Sequence, residues 1–80
     1  MRNYAKKQLV RFGFYKSDFE KVVDVLSVYC PINVRSMPED GYYDIYVVSL
    51  HVDQSRIGDC VRSIIELDRM GVEALNLYIG

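Results

Sequence analysis

Apolar and polar residues alternate along Gln8–Tyr15, with Val10, Phe12 and Phe14 on one side and Leu9, Arg11 and Gly13 on the other. A period of two is the signature of a strand. The period then changes. Phe19, Val22, Val23, Leu26 and Tyr29 recur at intervals of three and four, an apolar stripe down one side of a helix, while Lys21, Asp24 and Ser27 fall off it. Ser17 and Glu20 stand three apart just ahead of the stripe, the spacing of a reciprocal capping box. Cys30-Pro31 ends the helix, because the residue before proline is pushed out of the α region.

Ile32–Met37 reads as a short second strand, and "PEDG" (Pro38 to Gly41) as a turn. The stretch "DGYYDIYVVSLHV", Asp40 to Val52, is a third strand paired to the second as a hairpin. Ser55 stands where it would cap a second helix with the stripe Ile57, Cys60, Val61, Ile64 and Leu67. Gly71 supplies the left-handed residue that closes it. In Val72–Gly80 the alternation returns, with Leu75, Leu77 and Ile79 against Ala74, Asn76 and Tyr78. The order β-α-β-β-α-β, with right-handed crossovers, predicts a two-layer α+β sandwich of the ferredoxin-like type. Its four-stranded antiparallel sheet has strands one and three in the middle and two helices on one face. Eighty residues make one such domain, residues 1–80, with residues 1–7 a basic N-terminal arm.

The third strand does not fit a sheet with one wet face. Tyr43, Ile45 and Val47 point one way; Tyr46, Val48, Leu50 and Val52 point the other. In one register Val48, Leu50 and Val52 join Phe12, Phe14, Leu75 and Leu77 under the helices. Tyr43, Ile45, Val47, Ser49 and His51 then share the open face with Arg11 and Tyr78. The opposite register puts Ser49 and His51 in the core, and a bulge near Val47-Val48 would mix the two. Apolar and aromatic side chains remain on the open face in every case. Either the N-terminal residues and long basic side chains fold over that patch, or it receives a partner. Soluble monomers seldom leave such a patch uncovered, so Arg11, Tyr43, Ile45, Val47 and Tyr78 are the candidate partner-binding residues.

Charge sharpens one end of the molecule. Residues 1–17 hold Arg2, Lys6, Lys7, Arg11 and Lys16 and no acid, although the whole chain carries a formal charge of −1. Such asymmetry marks a partner-binding end or a basic strand beside acidic neighbours. It also makes Lys6, Lys7 and Arg11 the candidate contacts if the partner is a single-stranded nucleic acid. The longest apolar runs are far short of the roughly 20 residues of a membrane span, and no apolar stretch follows the basic segment as in a secretory signal. The expected location is cytoplasmic, with no membrane partner.

The segment Ile32–Tyr78 resembles the second half of ACT-like regulatory domains: a strand ending "HVDQ", then "RIGDCVRSIIEL", then "MGVEALNLY" as the last strand. The resemblance implies a small ferredoxin-like module that regulates or dimerises. ACT domains usually carry a glycine in the loop after their first strand. Here that loop is "FYKS", Phe14 to Ser17, with Gly13 already inside the strand, so amino-acid binding does not carry over.

Candidate chemistry is sparse. His51 is the sole histidine, and no Ser/His/Asp set can be built on it. Cys30 and Cys60 lack metal-site spacing and fall on apolar helix positions; buried thiols fit better than a disulfide, which needs an oxidising compartment. Acylphosphatases share this fold but need an arginine after strand one, where this chain has Lys16. "GFYKS" (Gly13 to Ser17) lacks the full phosphate-loop pattern. RNA-recognition domains stack bases on the two central strands. "DGYYDIYVV" overlaps their motif at Gly41, Tyr42 and Ile45 but places Asp40 and Asp44 where a base and an aromatic are needed. The expectation is a non-catalytic protein-binding module without cofactor or metal, a regulator or inhibitor of a larger complex or a dimerising domain. Single-stranded nucleic-acid binding is the alternative.

Overall fold

A computed structural model describes residues 6–28, 33–37 and 42–80; at positions 36, 37, 42 and 43 only the backbone is described. Strand β1 (Lys7–Tyr15) leads through a 3-10 turn at Lys16–Asp18 into helix α1 (Phe19–Leu26). Strands β2 (Asn33–Met37) and β3 (Tyr42–Asp53) follow. A second 3-10 turn at Gln54–Arg56 leads into helix α2 (Ile57–Arg69), and β4 (Leu75–Ile79) closes the order. The sheet is antiparallel with strand order β2-β3-β1-β4. This is the ferredoxin-like sandwich. Lys7 belongs to β1, not to an arm; residues 1–5 lie outside the described residues, as do Tyr29, Cys30, Ile32 and the "PEDG" segment.

The central pair β1–β3 runs in unbroken register from Lys7↔Asp53 to Tyr15↔Ile45. That register sends Val10, Phe12 and Phe14 of β1 and Val48, Leu50 and Val52 of β3 to the same side. All six are buried, with Val22 and Leu26 of α1 and Cys60, Ile64 and Leu67 of α2, in one cluster. Of the two registers open to the sequence, the one with Val48, Leu50 and Val52 under the helices is therefore adopted, without a bulge at Val47-Val48 between β1 and β3. Tyr46 explains the extra apolar residue on that side. It lies at the end of the core, with Phe14 and Phe19 edge-on to its ring at 6.1 and 5.8 Å between centroids. Phe19, at the head of the α1 stripe, is exposed on its outer side and is anchored through this aromatic contact.

Both helix starts differ from expectation. Ser17 lies inside the 3-10 turn and Asp18 occupies the N-cap of α1; no side-chain cap bond is made, so the Ser17–Glu20 capping box is not formed. Ser55 likewise falls within a 3-10 turn, and Arg56 is the N-cap of α2. In both places the tighter turn uses up the residue that a direct strand-to-helix junction would have left as the cap. Helix α1 stops at Leu26, with Ser27 as C-cap, ahead of Pro31. The close of α2 is as expected. Gly71 has φ 91°, its N–H donates to Asp68 O, and the Val72 N–H reaches back to Leu67 O at 2.9 Å. Val72 and Leu67 are both buried, completing a Schellman motif with its apolar contact.

Leu26 is fully buried between the helices and the sheet. Leu26→Ala should lower unfolding free energy by about 2–5 kcal/mol in urea titrations. A loss below about half a kcal/mol would contradict the packing of α1.

Candidate functional site

The side of the sheet away from the helices is built by the same register. Arg11 lies opposite Ser49, Gly13 opposite Val47 and Tyr15 opposite Ile45, while β2 brings Asn33 beside Ser49 and Arg35 beside Val47. Ile45, Val47 and Ser49 are half-buried; Arg11, Tyr15, Arg35 and His51 are exposed. The expected face residues Arg11, Ile45, Val47 and Tyr78 thus share one surface. Tyr43 sits in β3, its side chain outside the description.

Strand β4 departs from simple alternation, and the departure shapes the site. Arg11 pairs with Tyr78 but Gly13 pairs with Leu75, so two β4 residues, Asn76 and Leu77, oppose Phe12. This is a β-bulge. Asn76 carries it at φ 51°, a left-handed conformation that asparagine tolerates better than most side chains. The extra residue turns Leu75 from the helix side, where the alternation put it, to the open face. The position a Gly13 Cβ would take is 3.4 Å from Leu75 Cβ and 3.5 Å from an Ile45 methyl. Leu77 is also corrected: it keeps the helix-side parity but lies at the sheet edge and is 45% exposed rather than buried.

Gly13 therefore forms the floor of a depression of about 650 Å³ lined by Arg11, Tyr15, Ile45, Val47, Leu75 and Asn76. A side chain at Gly13 would occupy that floor, pressed against Leu75 and Ile45, which is the physical use of glycine in the middle of a central strand. Exposed aromatics stand at both ends: Tyr15 on β1, and Tyr78, whose ring lies 5.2 Å from the Arg11 guanidinium carbon. The cation–π contact holds Arg11 over the sheet without neutralising it.

The charges are segregated by layer. The ion pairs Lys21–Asp18, Arg62–Asp59 and Arg69–Glu66 all join residues three apart on the helix layer. Arg11 and Arg35 make no ion pair among the described residues. The one carboxylate that the described rows of β1 and β3 bring to the open face is Asp53, at the far end opposite Lys7. Lys7 shares the face with Arg11, whereas Lys6 precedes the strand; both are exposed. Cys60 is buried, as expected; Cys30 lies outside the described residues. Among the described residues no three His, Cys, Asp or Glu side chains converge as a metal site would require, and no helix is long and apolar enough to cross a membrane. Scans against protein-family models and searches of curated proteins and of solved structures give no match.

The sequence pointed to the face but missed its groove. Leu75, Asn76, Gly13, Tyr15 and Arg35 became functional candidates only through the bulge and the register. The signal available was an asparagine inside an apolar strand, "LNLYI". Strand propensity alone makes Asn76→Val favourable. The left-handed backbone reverses the sign, since a β-branched residue there costs about 1–2 kcal/mol. Thermal or urea unfolding of Asn76→Val should show destabilisation; a more stable variant would contradict the bulge.

Proposed function

We propose that this protein is a non-catalytic, cytosolic protein-binding module that acts through the open face of its sheet, as a regulator or inhibitor of a larger partner. One observation carries the reading: an apolar groove over Gly13, walled by Ile45, Val47 and Leu75, is flanked by two arginines that make no ion pair among the described residues and by two exposed tyrosines. Buried aromatic and arginine anchors ringed by weaker contacts are the usual composition of a binding hot spot. The ACT-like layout of residues 32–78 agrees with a regulatory role. The two exposed arginines favour a partner that presents carboxylates around an apolar centre.

Ile45→Asp and Arg11→Glu test the reading. Ile45 is half-buried under solvent and outside the helix-facing core, and Arg11 is exposed. Capture from the cytosol of the source cell, read by mass spectrometry beside a thermal melt, should retain a specific protein with the native chain. Both variants should lose it while melting near the native temperature. Each anchor in a desolvated centre is worth about 2 kcal/mol or more, roughly thirtyfold in affinity. An Ile45→Asp variant that unfolds would assign Ile45 to the core instead, and one that binds normally would end the proposal.

A second reading rests on the same arginines. Exposed Tyr15 and Tyr78 beside Arg11 and Arg35, with Lys7 on the same face, form a base-stacking platform with cations along it. In that case single-stranded oligonucleotides should bind at low salt, and the affinity should fall steeply as salt rises. Charge removal at Lys6, Lys7 and Arg11 should flatten the slope. Absence of binding in a low-salt fluorescence titration would eliminate nucleic acid as the partner.

A further inference from the structure

The sheet has two outer edges, and the chain treats them differently. Strand β2 has exposed Asn33 and Arg35, and prolines stand on both sides of it in the sequence, Pro31 and Pro38. Charge and proline at an edge oppose pairing with another strand. Strand β4 has none of this. From Ala74 to Gly80 there is neither a charged residue nor a proline, and Leu77, Tyr78 and Ile79 are 45%, 47% and 38% exposed in succession.

The backbone of this edge has a defined pattern. Gly80 exchanges both hydrogen bonds with Leu9, at 2.9 and 3.0 Å. In an antiparallel ladder alternate residues face the same neighbour, so Tyr78, which pairs with Arg11, also directs its N–H and C=O toward β1. Leu77 and Ile79 direct theirs outward, and among the described residues no strand lies beyond β4. Two donors and two acceptors on a neutral apolar strand, otherwise left to water, form a template for another strand.

We propose that the occupant is a second copy of this chain, its β4 antiparallel to the first about a two-fold axis at Tyr78. That register is self-complementary: Leu77 of each copy exchanges hydrogen bonds with Ile79 of the other, and every outward group of the two residues is used. A pairing centred on Leu77 would instead run through the bulge at Asn76. The Leu77 and Ile79 side chains, which overhang the helix side of the edge, then cover one another across the axis. The open-face cations do not oppose it. Arg11 lies one strand inside β4, so with strands about 4.8 Å apart the two Arg11 backbones are about 14 Å from each other, beyond the screening length at physiological salt. The product is an eight-stranded sheet, β2-β3-β1-β4-β4-β1-β3-β2, with four helices on one side and the two Gly13 grooves next to each other on the other. This inference does not depend on the function proposed for the groove.

Sedimentation equilibrium of the full chain over a hundredfold concentration range, from micromolar upward, tests it. The native protein should sediment as a dimer. Leu77→Lys adds a charge to the edge, and Ile79→Pro removes one outward N–H while sparing the bonds to β1. Each should weaken dimerisation at least tenfold with little change in melting temperature; because Leu77 is already half in solvent, Leu77→Lys decides the matter if the proline variant folds poorly. Register is read separately in a Cys30→Ser background. Tyr78→Cys should cross-link two copies on mild oxidation, since a non-hydrogen-bonded antiparallel pair has a Cα separation of about 4.5 Å, within disulfide range. Asn76→Cys should not. A native protein that stays monomeric overturns the proposal. So does a dimer that survives Leu77→Lys and Ile79→Pro but is lost in Ile45→Asp, which would move self-association to the open face.

Discussion

The pairing of β1 with β3 is the constraint on which the rest of the molecule depends. These two strands are central in the sheet, and their register is continuous along the whole of β1. A slip of one residue would exchange the faces of one strand relative to the other, sending either Phe12 or Val48 and Leu50 into water and either Arg11 or Ser49 under the helices. The core sets the register through its own volume: Val10, Phe12, Phe14, Val48, Leu50 and Val52 meet α1 and α2 in a single cluster, and among the described residues no polar or charged one is buried. With the register fixed, the residues of the other parity have no choice of side. Arg11, Gly13 and Tyr15 meet Ser49, Val47 and Ile45 on the open face as a consequence of the packing behind them.

The open face is then shaped by two small departures from an ideal sheet. Gly13 removes a side chain from the middle of β1, and the Asn76 bulge turns Leu75 onto the open face to wall the space above it. Local irregularity at a bulge re-aims side chains without disturbing the core behind the strand. The charge distribution adds direction. Lys21, Arg62 and Arg69 of the helix layer are matched by carboxylates three residues away, whereas among the described residues Arg11 is matched by the Tyr78 ring alone. Arg11 therefore keeps its charge available to a partner while being held in place.

Much of this was legible in the chain because the two periods are clean. Alternation through Val10, Phe12 and Phe14 and the stripes Val22–Leu26 and Cys60–Ile64–Leu67 gave the order of elements, the core and the central strands. Gly71 announced the end of α2. The failures have a common cause: positions set by backbone geometry at junctions rather than by side-chain pattern. Ser17 and Ser55 have the chemistry of caps, but 3-10 turns displace the helix starts beyond them. Leu75 and Leu77 keep the apolar alternation of a strand, yet one inserted residue at Asn76 splits them between face and edge. No hydropathy pattern encodes that insertion, since an apolar residue reads the same on either side of the sheet. Val47 and Ile45, the feature that made β3 look two-faced, are where the pattern was most informative: they lie on the open face because the opposite parity alone fills the core.

The central claim is that β3 has two apolar faces, one packed and one turned to solvent to receive a partner. Paramagnetic relaxation by a soluble gadolinium chelate reads both faces in the unmodified protein, through the methyl signals of successive residues. Ile45 and Val47 should broaden on addition of the chelate, whereas Val48, Leu50 and Val52 should stay sharp. Equal protection of all five would mean that the open face is covered by the chain itself, and broadening of Val48 and Leu50 with protection of Val47 would contradict the register.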